Sequence, residues 1–393
     1  MTTLTIPADS LFGVDNLPYG VFATPGTPPR VGVRVGDSVV DLARALGDNV
    51  FAEPTLNAFM AQGPERWAQV RAAITDLVAG DIPDDAVVDV ADVTMHLPIA
   101  VADYVDFYAS EHHATNLGRL FRPNAEPLMP NWKHLPVGYH GRSSTVVVSG
   151  TDIVRPHGQR KAPTDDAPTF GPSTRLDIEA ELGFIVGVGS AMGASIGPDE
   201  FAEHCFGAVI LNDWSARDIQ AWEYVPLGPH LGKSFATSIS PWVVPMAALD
   251  AARIDTPVQD PEPLPYLRGT QRWGLDIDLE VDWNGEVVSR PPYGQMYWSP
   301  AQMLAHTTVN GAAARTGDLL GSGTISGPER DQRGAFIELT WGGSEPVAVA
   351  GGTRTFLEDG DEIAISATAP GVGGGRIGFG EVRATILPAV SPG

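Results

Sequence analysis

One cysteine, Cys205, stands in the 393-residue chain. A lone thiol closes no intramolecular disulfide and builds no cysteine-based zinc or iron-sulfur site, so any metal must use oxygen or imidazole ligands. Basic residues are scarce too. Lys and Arg number 25 against 48 Asp and Glu, and the formal charge of −23 repels nucleic-acid phosphates and anionic membrane surfaces. Neither is expected as a partner. No apolar run reaches the roughly 18 residues that cross a bilayer. The opening MTTLTIPADS has no basic segment ahead of an apolar one, and the cytoplasm is the expected location. Glycine and proline are abundant, 44 and 34 residues, a composition of many turns and short strands rather than long helices.

The pattern predicts a mainly β, α+β protein in two domains, 1–100 and 101–393. YGVFAT from Tyr19 reads as a strand, and VGVRVGDSVVDL as a hairpin turning at Gly36-Asp37. A helix is expected from Pro64, with Trp67, Val70, Ile74 and Val78 on one face and Gly80 as its stop. The acidic stretch 81–98 reads as the passage between domains. Beyond it, STVVVSG, FGAVILND, LDIDLEVDWNGEVVSR, AFIELTW and DGDEIAISATA alternate with turn signals as strands do. Helices are expected near 106–120, 198–205, 215–223 and 299–307.

Four acids stand out from this pattern. In LDIEAELGF, Glu179 and Glu181 lie two apart in a strand pattern and so share a face, leaving Leu176, Ile178 and Ala180 for the core. The same alternation also describes a strand with one face in water. Asp213 ends the fully apolar run FGAVILND, where it serves equally as a site residue or as a cap for the following helix. That helix would align Arg217, Gln220 and Tyr224 on one face. If 106–120 is helical, Asp106 and His113 share a face two turns apart, and His112 and His113 remain alternatives as a base. Asp106, Glu179, Glu181 and Asp213 together offer the hard oxygen donors that suit Ca²⁺, Mg²⁺ or Mn²⁺.

Three tempting strings fail in context. GPHLGKS, Gly228 to Ser234, misses the phosphate-loop spacing by one residue and follows no strand. GASIG around Ser195 fits the nucleophile-elbow pattern without the strand-to-helix turn. GVGGGRIGFG lacks the order of a dinucleotide fingerprint.

The strings DYVDFYASEHHATN, PNWKHLPVGYHGR, LDIEAELGF, LNDWSARDIQAWEYVPLGPHLGKSFATSISPWVVP and GSGTISGPE resemble the fumarylacetoacetate hydrolase family over nearly the whole chain. The resemblance implies an SH3-like N-terminal barrel, a larger C-terminal β-roll or sandwich domain and a homodimer. It also implies hydrolysis of a carbon-carbon bond in 4-fumarylacetoacetate, giving fumarate and acetoacetate in tyrosine and phenylalanine breakdown. A related acylpyruvate hydrolase or β-keto acid decarboxylase on the same metal site is the alternative. The resemblance places Ca²⁺ at Asp106, Glu179, Glu181 and Asp213, and a second ion, Mg²⁺, at Asp213, Lys233 and Thr237. There Lys233 is expected to offer its backbone carbonyl while its side chain faces substrate. It makes His113 the base and Glu338 its partner, assigns catalytic roles to Arg217, Gln220 and Lys233, and gives substrate contacts to Tyr108, Arg122, Tyr139, Gln220, Tyr224 and Thr324. Two positions depart from the family's more usual residues: Glu111-His112 replace Arg-Gln, and Ala236 replaces Gly.

Overall fold

The computed structural model describes residues 1–391. Five short strands, β1 (Tyr19–Ala23), β2 (Arg30–Val35), β3 (Ser38–Asp41), β4 (Val87–Asp89) and β5 (Thr94–His96), form an antiparallel sheet in the order β4-β3-β2-β1-β5. The helix Pro64–Ala79 packs on this unit through Val70, Ile74 and Val78, with Pro64 in its first turn and Gly80 at its end. The stretch 81–98, expected as a passage, instead supplies both edge strands. Its exposed acids face water while backbone pairing to β3 and β1 satisfies the chain.

The large sheet is mixed and eight-stranded. Its path comprises β6 (Tyr104–Phe107), β7 (Gly138–His140), β8 (Val146–Val148), β9 (Ala180–Val186), β10 (Cys205–Asp213), β11 (Thr237–Ile239) and β12 (Leu319–Gly321), in the order β7-β6-β12-β9-β10-β11-β8, and Val244–Pro245 adds to β10. Strand alternation gives this sheet two different faces. One face, including Leu182, Phe184, Ala208 and Ile210, meets a second sheet through Leu279, Val281, Ile363 and Ile365. On the other, Ile185, Val209, Leu211, Ile239 and Leu319 join Val21, Val33, Val40 and Ile74 of the N-terminal unit in one apolar cluster. That unit covers only part of the face, and the acids occupy the rest.

Two expected elements differ. Residues 106–120 are not one helix: Asp106 lies in β6, paired with β12 and β7, and the helix spans Glu111–Phe121. Ser110 sets the boundary, since its Oγ accepts the His113 N–H at 3.2 Å, a cap contributing about 1 kcal/mol. FIELTW, read as a strand, opens with the short helix Phe336–Leu339. Its N-terminus is capped from another strand, as Asp177 accepts the Phe336 and Ile337 N–H groups at 2.7 and 3.0 Å.

Candidate functional site

The four acids converge. Asp106 on β6, Glu181 on β9 and Asp213 on β10 point from one face of the large sheet, and Glu179 sits in the break between Leu176–Asp177 and β9. All four are buried, and one oxygen from each lies within 4.8 Å of the others. β12 lies between β6 and β9, and its Gly321 pairs with Asp106 on one side and with Gly183, two residues beyond Glu181, on the other. A Cβ at Gly321 would stand 3.0 Å from Asp106 Oδ1 and 3.1 Å from Glu181 Oε2, so the missing side chain is the room the carboxylates use. Gly321→Val is expected to lower divalent-ion affinity by roughly 10–100-fold, read by titration calorimetry; wild-type affinity would show that the crowding is not felt.

Electrostatics separates the members. Burial drives the Asp106 and Glu181 carboxyls well above the usual range, and repulsion from Asp213 on the first and from Asp106 on the second adds to it. Glu179 is buried too, yet Lys233 and Arg217 outweigh that penalty and hold it down at about 2. Lys233 Nζ donates to Glu179 and, at 2.7 Å, to Asp213 Oδ2. Its ammonium is thus engaged by the acids as well as facing the cleft. Among the described residues, Asp106 Oδ1 and Glu181 Oε1 are buried without a hydrogen-bond partner. Orphaned oxygens among mutually repelling carboxylates fit a hard cation, which would supply both ligation and counter-charge.

Beside the acids, His113 Nδ1 is 2.5 Å from Glu338 Oε2. Asn116 donates to Glu338 Oε1 at 2.9 Å, and Ser326 to Oε2 at 2.9 Å. Burial opposes ionisation of Glu338, but His113 and these donors hold its pKa below the ordinary value. An ionised Glu338 assigns the proton to Nδ1 and leaves the Nε2 lone pair free. Nε2 lies 3.8 Å from Glu179 Oε1. His112 is only half-buried, and Glu111, the unusual neighbour, pairs with Lys133 at 2.7 Å at the surface.

A cleft of about 460 Å³ opens onto this group and is lined by Asp106, Tyr108, His113, Arg122, Tyr139, Glu179, Arg217, Gln220, Tyr224, Lys233 and Thr324, with Phe107, Leu117, Leu128 and Trp132 as apolar wall. Arg217 Nε donates to Asp177 at 2.8 Å, and Nη1 reaches Glu179 at 2.8 Å and Gln220 at 3.0 Å. Arg217 Nη2, Arg122 Nε and Thr324 Oγ1 are buried donors without partners among the described residues. Tyr139 donates to Asp213 at 2.8 Å. Thr237 lies outside this cleft. It donates to Asp213 at 3.1 Å and lines a second cavity of about 280 Å³ with Asp213 and Lys233. Ala236 is buried and is not among the residues with positive φ, so its side chain meets no backbone objection.

Sequence reasoning missed Gly321, Asp177, Asn116 and Ser326. Asp177 carried a usable signal, since it extends the Glu179 and Glu181 alternation by one more step in the same apolar string. Ser195, by contrast, lies in an exposed loop.

Comparison with known proteins agrees with this architecture. A family model described as Fumarylacetoacetase N-terminal matches residues 15–98, and one described as Fumarylacetoacetate (FAA) hydrolase C-terminal matches 103–387. Fumarylacetoacetases of Rattus norvegicus and Homo sapiens are 48% and 47% identical over 419 residues, each covering 100% of both chains. That of Caenorhabditis elegans is 47% identical, covering 98% of this chain and 99% of its own. Among solved structures, a fumarylacetoacetate hydrolase from Exiguobacterium antarcticum shares the fold at a TM-score of 0.58 and 19% identity, covering 95% of this chain and 99% of that one. Matched along both its halves by relatives of full length, the chain belongs to the fumarylacetoacetate hydrolase family.

Proposed function

We propose that this enzyme hydrolyses the carbon-carbon bond between the fumaroyl carbonyl and the methylene of the β-diketone in 4-fumarylacetoacetate, releasing fumarate and acetoacetate. The observation that carries the reading is the placement of the free His113 nitrogen at the edge of the acid cluster, inside one cleft. Near-half identity to fumarylacetoacetases over the full length supports the substrate.

Asp106, Glu179, Glu181 and Asp213 would hold the cation, with Ca²⁺ the proposed ion and Mg²⁺ or Mn²⁺ compatible with the same donors. When bound, it supplies Lewis-acid polarisation of the diketone oxygens. Nε2 of His113 takes a proton from water, whose oxygen attacks the carbonyl beside the fumaroyl double bond. Glu338, accepting from Nδ1, fixes the tautomer and stabilises the imidazolium. The carbon-carbon bond breaks, fumarate leaves as its acid, and the acetoacetate carbanion takes the proton back from the imidazolium. Arg217, Gln220 and Lys233 place donors and positive charge where that carbanion develops. Arg122 is assigned a substrate carboxylate, for which guanidinium offers two parallel donors, with Tyr108, Tyr139, Tyr224 and Thr324 completing the contacts. A second ion, Mg²⁺, is proposed at Asp213, Lys233 and Thr237, supported by their common cavity.

The proposed assembly is a homodimer of an N-terminal domain, 1–100, and a catalytic domain, 101–393, in the cytoplasm. Among the described residues no helix is long and apolar enough to cross a membrane. Exposed apolar side chains line the cleft, among them Leu227 at 96% and Met129 at 54% exposure, a surface of the kind subunits bury. Light scattering coupled to size exclusion is expected to give twice the 41.6 kDa chain mass; a monomer at working concentration would count against it. The activity itself is tested by incubating the purified protein and a divalent ion with 4-fumarylacetoacetate and assaying fumarate and acetoacetate. Carbon dioxide from an oxaloacetate-like acid, with no fumarate from the diketone, would favour the decarboxylase alternative.

A further inference from the structure

We propose that Asp177 is a positioning residue that ties the anion-stabilising arm of the site to its base, an assignment that rests on the functional reading above. Asp177 is fully buried and lies outside the cleft lining. Its Oδ1 accepts the N–H groups of Ile178 at 2.8 Å and Phe336 at 2.7 Å. Its Oδ2 accepts Arg217 Nε at 2.8 Å and the Ile337 N–H at 3.0 Å. An ionised carboxylate offers about four lone-pair positions, and all are engaged by protein. None remains for substrate.

The four donors come from both halves of the machinery. Holding Arg217 through Nε fixes the plane of the guanidinium, and hence the direction of its unpartnered Nη2 within the buried wall of the cleft. Capping Phe336–Leu339 fixes Glu338, two residues after the first capped N–H, and through it the ring of His113. Ala335 gives that helix no side-chain cap of its own, so the orientation of Glu338 depends on a strand 160 residues away from Ile337 in sequence. One carboxylate therefore sets the distance between the group that removes the proton and the group that receives the negative charge.

Asp177→Asn keeps the shape and removes the charge. Whichever way the amide turns, its NH₂ faces two of the four donors, so either Ile178 and Phe336 or Arg217 and Ile337 lose their acceptor. The expected result is a fall of about 10²-fold in kcat, the scale of an ångström-sized misplacement, with KM and calorimetric ion binding little changed. A merely structural aspartate would lower the unfolding temperature but leave kcat per metal-loaded site at the wild-type value, and that outcome would overturn the proposal. Arg217→Lys is the second variant. It retains a cation and the three backbone bonds of Asp177 while giving up the Nε–H and the Nη1 bonds to Glu179 and Gln220, so wild-type kcat in it would overturn the anchor even if Asp177→Asn does not fold. Its kcat should fall, and adding Asp177→Asn to it should cost less than Asp177→Asn costs alone. Wild-type kcat in Arg217→Lys, or full multiplication of the two losses, would remove the coupling. The comparison is made on the diketone and, if the wild type leaves that intact, on whichever β-keto acid it turns over. Failure of the wild type on the diketone thus counts against the substrate and not against Asp177.

Discussion

Alanine at position 113 is expected to lower kcat by roughly 10²–10⁴-fold while bound divalent ion stays at the wild-type level. The separation of the two effects follows from the geometry. His113 contributes none of the four clustered oxygens, and its Nδ1 is occupied by Glu338, so only Nε2 is available and its task is to receive a proton. Removing the ring deletes that acceptor and leaves Asp106, Glu179, Glu181 and Asp213 in place. Glu338→Ala should cost less alone, because the imidazole keeps its lone pair, and should add little to His113→Ala, since Glu338 acts through the ring. Kinetics paired with elemental analysis of the same preparation decides the matter. An unchanged kcat would take the histidine out of the reaction, and loss of the ion together with activity would make it a structural support of the metal centre.

Glu179, Glu181 and Asp213 were legible because each sits in or ends an apolar string, and burying a charge without a partner is costly enough to demand a reason, whereas Asp106 was singled out through a helical spacing to His113 that the structure replaces with a strand. Alternation alone put Glu179 and Glu181 on one face, although the strand turned out to be interrupted at Glu179. The helix from Pro64 and the hairpin at Gly36-Asp37 were legible for an equally local reason, a period and a turn residue at each end. What periodicity could not supply was register between distant strands. Gly321 matters only because β12 lies between Asp106 and Glu181, and nothing local to a glycine at a strand end announces that. The choice of His113 over His112 came from family likeness, and its contact with Glu338 spans 225 positions. FIELTW reads as a strand by composition and becomes a helix because Asp177 caps it across the fold, a tertiary contact outweighing local propensity.

Stripping divalent ions with a chelator is expected to abolish turnover reversibly, and the stability of the protein should report the same event with a definite pH dependence. In the ion-free protein the Asp106 and Glu181 carboxyls titrate well above their ordinary range because burial and neighbouring acids disfavour their charge. A raised carboxyl pKa means that the folded state holds its proton more tightly than the unfolded chain. That contribution to stability is therefore present at low pH and lost as pH rises through the folded-state value. A bound cation acts in the opposite sense, since it must displace those protons and binds better as pH rises. The difference in unfolding temperature between ion-loaded and chelated protein should accordingly widen upward from about pH 4, where carboxyls ordinarily titrate. Taking the difference cancels the titration of the many surface acids, which behave alike in both samples. Scanning fluorimetry across that range reads it directly. A gap that stays constant or narrows with rising pH would mean that the ion does not bind at these four carboxylates, and full activity in the chelated sample would remove the ion from the reaction.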